Sequence, residues 1–147
     1  MLKIRELSDV IDMASSINFD EHVYYNKKTH QIHIEYDDGS ESLDKGYEFR
    51  EIYSNLLEVE VEPFGRHLFL YFFMTVEHPN VRQMLFDRFH GSGKYRKVKN
   101  LFPRYHLTDQ FYKFKDDYHL KIAKEWCELH NVNYIDELDH EIIHCKK

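Results

Sequence analysis

The sequence predicts an α+β fold, with a small antiparallel sheet, made of a hairpin and a third short strand, and a larger helical part of about five to six helices. Strand-like segments rich in Val, Ile and Tyr are confined to residues 23–36 and 59–62. After residue 66 the apolar residues recur three or four positions apart, as on one face of a helix. The chain of 147 residues is long enough to bury a core of its own. We therefore predict a single domain over residues 1–147.

The first half of the chain carries the predicted sheet. Residues 8–14 are predicted to form a short helix, because a serine suited to capping stands at its start beside acidic residues. Residues 23–25 and 32–36 are β-prone runs joined by a short polar loop, which predicts a hairpin. Residues 49–57 carry apolar residues at helical spacing. Residues 59–62 alternate like a third strand, which the following proline stops.

The second half is predicted to be helical. Helices are expected at residues 66–76, 81–89, 94–102 and 108–129, separated by glycine, proline and capping residues. The predicted inner face of the longest helix comprises Phe111, Phe114, Tyr118, Ile122, Trp126 and Leu129. Residues 134–144 are predicted to form a last helix, within a C-terminal helical extension over residues 133–147.

Charge, cysteine content and hydropathy narrow the class of protein. A net charge of −6 argues against sequence-blind coating of DNA. Cys127 and Cys145 form no CxxC pair, which favours a reducing compartment, and Cys127 is expected to be buried and inert. The longest apolar run covers nine residues, 68–76, whereas a membrane-spanning helix needs about 20. The N-terminal residues do not resemble a signal peptide, so we expect a cytoplasmic protein with no membrane partner.

The strongest local charge lies between residues 88 and 104. This segment contains six Lys/Arg and no Asp/Glu, a charge of +6, which leaves −12 for all other residues. Cations at this density suit contact with nucleic-acid phosphates or with an acidic protein surface. The candidate anion- or partner-binding residues are Arg88, Gly91, Gly93, Lys94, Arg96, Lys97, Lys99 and Arg104.

Two interpretations of the glycine-rich turn at residues 91–94 stay open. Its backbone N–H groups and the following helix start could hold a phosphate. The P-loop pattern is incomplete, however, because Arg88 replaces its first glycine and Tyr95 replaces its Ser or Thr. The other interpretation is a helix boundary, with Gly91 ending one helix and Ser92 capping the next. The predicted inner face of that next helix comprises Tyr95, Val98, Leu101 and Phe102.

A candidate metal motif lies close to the end of the sequence. His140, Glu141 and His144 match H-E-x-x-H, in which two histidines one helical turn apart bind zinc and the glutamate is a general base. The sequence identifies no third ligand for such a zinc ion. Incidental metal binding by His140 and His144 is the alternative to a hydrolytic site.

A family resemblance rests on three sequence blocks. They are Gly91-Ser-Gly93-Lys-Tyr95-Arg96-Lys-Val-Lys99, Phe111-Tyr112-x-Phe114-x-Asp116, and Ile122-Ala123-x-Glu125-Trp126-Cys-Glu128. With them, the chain from about residue 7 to residue 132 resembles uncharacterised protein family 0158 of bacteria. The resemblance implies a bacterial origin and the fold of that family, and it implies no activity and no catalytic residue. The chain departs from the family at His30, where a turn glycine is common.

These observations favour a small binding or regulatory module over an enzyme, with no cofactor. Its basic helix is expected to meet a protein or an anionic ligand such as RNA. Two alternatives stay open. One is a metal-dependent hydrolase that uses His140, Glu141 and His144, and the other is a structural protein that acts by forming homo-oligomers.

Overall fold

The structure is a computed structural model that describes residues 1–15, 21–36, 56–59, 61, 66–138 and 140–145. It confirms the predicted α+β class, because helices are accompanied by two three-stranded sheets. The chain was predicted as one domain, and it divides into two compact units. Residues 1–64 with 119–147 form the first, called the sheet unit, and residues 65–118 form the second, called the helical unit.

The hairpin and its third strand form one sheet of the sheet unit. Strand β2 (Glu21–Asn26) pairs antiparallel with β3 (Ile32–Tyr36) on one side and with β4 (Leu56–Val59) on the other. This confirms the predicted arrangement, although the third strand begins before the predicted residues 59–62. Leu56 and Leu57, predicted to end a helix over residues 49–57, lie in β4 instead, and residues 49–55 lie outside the described residues.

The predicted C-terminal helix over residues 134–144 is wrong. Strands β5 (Tyr134–Asp136) and β6 (Glu141–Ile143) pair antiparallel, and β5 also pairs parallel with β1 (Leu2–Lys3) at the other end of the sequence. In β5 the side chains of Tyr134 and Asp136 are buried and that of Ile135 is half-buried, the alternation of a strand. Within the predicted extension over residues 133–147, residues 134–136 and 141–143 therefore belong to a sheet.

Helix α1 (Ile4–Ser15) begins four residues earlier than the predicted start at Ser8. Its first turn is bound by side chains from the last residue of β5 and from the residue after it. The backbone N–H of Arg5 donates to Glu137 Oε1 (3.0 Å), which satisfies one of the unpaired donors of a helix start. The Arg5 guanidinium contacts both carboxylate oxygens of Asp136, with Nε to Oδ1 at 2.9 Å and Nη2 to Oδ2 at 3.2 Å.

The helical unit contains α2 (Arg66–Thr75), α3 (Pro79–Arg88), α4 (Lys94–Leu101), a 3₁₀ turn (Pro103–Tyr105) and the first half of α5 (Thr108–Leu129). The four helices correspond closely to the predicted ones. Their core consists mainly of aromatic rings in edge-to-face and tilted contacts, among them Phe72, Phe73, Phe89, Phe102 and Phe111.

Helix α5 supplies residues to the cores of both units. Phe111 is buried in the helical unit, while Ala123, Trp126 and Cys127 are buried in the sheet unit. The predicted inner face is wrong at Leu129, which is 63% exposed. Near the end of the helix the buried face passes through Ala123 and Cys127 and not through Ile122. The Trp126 indole N–H donates to the Glu58 carbonyl of β4 (3.1 Å).

None of the helices in the described part of the chain is long and apolar enough to span a bilayer.

Candidate anion-binding site

The glycine-rich turn forms a helix boundary in the structure. Gly91 and Gly93 both have left-handed backbone angles, with φ of +73° and +72°, which L-residues with a side chain adopt only at a cost. Gly93 is the N-cap of α4 and receives no capping side chain, so the expected cap by Ser92 is not formed. The first N–H bonded within α4 is that of Lys97, which donates to the Gly93 carbonyl (3.0 Å).

The inner face of α4 is the predicted one. Val98 and Phe102 are fully buried, and Tyr95 and Leu101 are half-buried against the same core. Because these four residues occupy one side of the helix, the remaining side chains of α4 are directed to the outer surface. The aromatic rings of this segment are thus core residues, as predicted.

Three lysines of the segment have defined contacts with their surroundings. The ammonium of Lys94 lies 4.7 Å from the centre of the Phe89 ring and 5.4 Å from that of Tyr95. Lys99 lies 5.9 Å from the centre of the Phe111 ring, and Lys97 Nζ donates to the His90 carbonyl (3.3 Å). Such contacts restrict the aliphatic stems and leave the charged ends at the protein surface.

The cations of the segment have no acidic partners among the residues that the structure describes. Arg88, Arg96, Lys97, Lys99 and Arg104 are exposed, Lys94 is half-buried, and none of the six forms an ion pair with a carboxylate there. Residues 65–118 hold ten Lys/Arg and five Asp/Glu, a charge of +5, which leaves −11 for the rest of the chain. The helical unit is therefore cationic although the whole protein is acidic.

A groove of about 560 Å³ lies in the helical unit. Its lining includes Glu77, His78, Arg104, His106 and Gln110. Arg104 is the one predicted binding residue that lines it, so the structure does not gather the eight predicted residues in a single concave site. The other five cations do not line this groove, an arrangement that suits an extended ligand better than a small enclosed one.

The structure adds an exposed aromatic residue that the sequence analysis did not single out. Tyr112 on α5 is 47% exposed, and Lys115 Nζ lies 5.5 Å from the centre of its ring. Its ring is in edge contact with Phe111 at 5.5 Å, the same Phe111 that Lys99 approaches. The sequence signal was present, because Tyr112 follows Phe111 directly and so cannot share its inner face.

The H-E-x-x-H interpretation fails on secondary structure. His140 is in a turn with φ of +54°, Glu141 begins β6, and His144 follows that strand. In an extended segment residues four positions apart are separated by about 13 Å, too far for both histidines to bind one ion. Within the described residues no three His, Cys, Asp or Glu side chains form a group able to hold a metal.

A buried polar pair in the sheet unit also escaped the sequence analysis. His119 on α5 is buried, and its Nδ1 lies 3.3 Å from Asp12 Oδ1 on α1. The contact links α1 to α5 within this unit. Because the ring is enclosed, we assign the pair a structural role.

Cys127 is buried and unreactive, as predicted. Its side chain has no exposed surface, and burial is the main cause that raises the pKa of its thiol from 9.0 to about 12, with smaller contributions from Cys145 and Glu128. A thiol with this pKa forms almost no thiolate at neutral pH, and thiolate is the reactive form.

The alkaline unfolding of the protein is expected to report on this thiol. The unfolded chain ionises Cys127 near 9.0 and the folded chain only near 12, so stability is full below pH 9 and falls as the pH rises above it. From about pH 8 to pH 10, the wild type should lose about 1.4 kcal/mol more than Cys127→Ala. Urea unfolding at both pH values measures this difference, and equal losses in the two proteins would show that the thiol is not buried.

The cations of residues 88–104 thus lie at the surface of the helical unit, and residues 141–143 lack the helix that H-E-x-x-H requires. In comparisons with known proteins, no family model, no curated protein and no solved structure matches the chain.

Proposed function

We propose that the protein is a non-enzymatic binding module whose cationic segment, residues 88–104, contacts the phosphates of single-stranded RNA. The observation that carries the proposal is the set of exposed cations without carboxylate partners among the described residues. An unpaired surface cation keeps its full attraction for a phosphate, because no internal ion pair has to be broken on binding.

The exposed ring of Tyr112 favours nucleic acid over an acidic protein surface. Base stacking on an exposed aromatic side chain contributes about 1–3 kcal/mol per base and is open to any sequence. Tyr112 is exposed in the helical unit, as are Lys99 and Arg96. An acidic polypeptide would use the cations but would gain little from the ring.

The position of five of the six cations outside the groove favours a single strand over a small ligand. A flexible strand can follow side chains that point in several directions, whereas a mononucleotide needs donors that converge. Of the predicted cations only Arg104 lines the groove of the helical unit. The cations therefore do not converge on one small ligand there.

Fluorescence anisotropy with a short labelled single-stranded RNA tests the proposal. At low salt we expect saturable binding by the wild type, reduced severalfold in Tyr112→Ala because a stacking surface is lost. Labelled polyglutamate is the comparison ligand. Binding of polyglutamate but not of RNA, or of neither, would refute the proposal, and the former would identify an acidic protein partner.

A further inference from the structure

A second pocket, in the sheet unit, combines two imidazole rings with an ammonium group. It has a volume of about 400 Å³, and its lining includes Tyr25, Lys27, His30, His130, Asn131 and Asn133. Among the described residues that line it, none is Asp or Glu, although the residues outside the helical unit carry a charge of −11. A pocket without carboxylates in an acidic unit is an unusual local environment that favours an anion.

His30 lies in this pocket at a strained backbone position. It closes the hairpin loop between β2 and β3 with φ of +62°, and its N–H donates to the Asn26 carbonyl (2.8 Å). Glycine adopts this conformation freely, whereas another residue loses of order 1 kcal/mol. The Tyr25 hydroxyl, 2.7 Å from His30 Nδ1, is a contact that compensates for this cost.

The neighbouring turn at Asn131 has an ordinary structural explanation. Asn131 ends α5 with φ of +56°, and the Val132 N–H donates to the Cys127 carbonyl (2.8 Å), which is the usual hydrogen-bond pattern of a helix end. The turn places His130 and Asn131 at the pocket.

Both imidazoles are held by aromatic partners. The Tyr25 hydroxyl lies 2.7 Å from His30 Nδ1, and the ring of His130 lies 4.7 Å from that of Trp126. Tyr25 and Trp126 are themselves in edge-to-face contact, with ring centres 5.9 Å apart. Because each of these four rings contacts the next, the two imidazoles are held in position before any ligand binds.

The hydrogen bonds that can be assigned leave donors for a ligand. Burial raises the pKa of Tyr25, and its hydroxyl lies 2.7 Å from His30 Nδ1. When the hydroxyl donates to Nδ1, the ring proton of His30 is on Nε2, which is then a donor. Asn133 Oδ1 already accepts from the Cys145 N–H (2.8 Å), which leaves its amide NH₂ for a ligand. Lys27 adds an ammonium group.

We propose that this pocket binds a small oxyanion, a phosphate or a carboxylate group, through His30, His130, Lys27 and Asn133. The two imidazoles with their aromatic contacts and the ammonium group at the same pocket carry the proposal. The site lies in the sheet unit and is independent of the RNA contact proposed for the helical unit.

Trp126 fluorescence provides the test, because Trp126 is the one tryptophan of the chain and contacts His130 directly. The full chain is titrated with inorganic phosphate and, separately, with acetate to about 20 mM at constant ionic strength. We expect a saturable change with phosphate. A change with acetate as well extends the ligand class to carboxylates, and a change with acetate alone identifies a carboxylate site. No saturable change with either anion would overturn the proposal.

His30→Gly and His140→Gly are the matched variants. Both remove an imidazole from a left-handed position, where glycine is tolerated and folding is retained, but His140 does not line the pocket. We expect anion affinity to fall about tenfold in His30→Gly and to be unchanged in His140→Gly. His130→Gln, which keeps the helix end, should weaken binding similarly. Unchanged affinity in His30→Gly and His130→Gln, or an equal loss in His140→Gly, would refute the assignment.

Discussion

Replacing Asp136 by alanine is expected to lower the free energy of unfolding by about 2–3 kcal/mol. Asp136 is 5% exposed and accepts two hydrogen bonds from the Arg5 guanidinium and one from the Leu138 N–H. Alanine would leave the guanidinium without its carboxylate at a site that is partly closed to water. Since Arg5 stays one-third exposed, the loss should be below that of a fully buried pair.

Urea unfolding followed by Trp126 fluorescence measures the effect. Asp9→Ala is the matched control, because Asp9 is an exposed aspartate on the same α1 helix and should change stability by no more than about 0.5 kcal/mol. The double variant Arg5→Met/Asp136→Leu should lose less than the sum of the single losses, since no charge is left unpaired. Equal stability of Asp136→Ala and Asp9→Ala would show that the pair does not join β5 to α1.

Reversal of two charges on α4, Arg96→Glu with Lys97→Glu, is expected to weaken RNA binding at low salt by about 100-fold or more. Both side chains are exposed and lie outside the buried face formed around Val98. The substitution removes two phosphate contacts and adds two charges that repel the strand. Folding should be unaffected, because no described contact of the core involves either residue.

Lys3→Glu with Lys28→Glu is the control for net charge. Both lysines are exposed in the sheet unit and neither lines the anion pocket, so the two double variants have the same net charge. RNA affinity should stay within about threefold of the wild type in this control variant. Similar losses in both variants would show that binding responds to total charge and does not use the α4 surface.

The helices could be predicted from the sequence because their signals are local. The apolar spacing of α2 to α5 and the turns at Pro79, Gly91 and Pro103 set most of their bounds within a few residues. The sheet formed by β1, β5 and β6 could not be predicted in this way. Its strands have two or three residues each, and the parallel pair joins Leu2 to Tyr134. Such strands are too short to show an alternating pattern, and their pairing partners are too distant in sequence to be recognised locally.

The start of α1 could not be predicted either, because it depends on a residue that is distant in sequence. Ser8 has the chemistry of an N-cap, yet it lies within the helix, and the Arg5 N–H is bound by Glu137 from 132 positions away. The N-cap rule considers only nearby residues and therefore indicated the Ser8 oxygen. In the structure the acceptor is a Glu137 oxygen from a distant part of the sequence. The H-E-x-x-H motif was misleading for a related reason. The motif assumes a helix, whereas pairing with β5 places residues 141–143 in a strand.

The two candidate sites also differ in whether the sequence could predict them. The charge of residues 88–104 and the buried face of α4 were readable from composition and spacing. The pocket with His30 and His130 was not, because its residues come from the β2–β3 loop and the end of α5, about 100 positions apart. The exposed position of Tyr112 could have been found from its place beside Phe111 on the helix.

The salt dependence of RNA binding tests the central claim most directly, since it counts phosphate contacts. With the five exposed cations engaged, the logarithm of the association constant should fall against the logarithm of salt concentration with a slope of about −3.5. In the Arg96→Glu/Lys97→Glu variant the slope should shrink to about −2. A wild-type slope near zero, or an unchanged slope in the variant, would contradict an RNA contact made by residues 88–104.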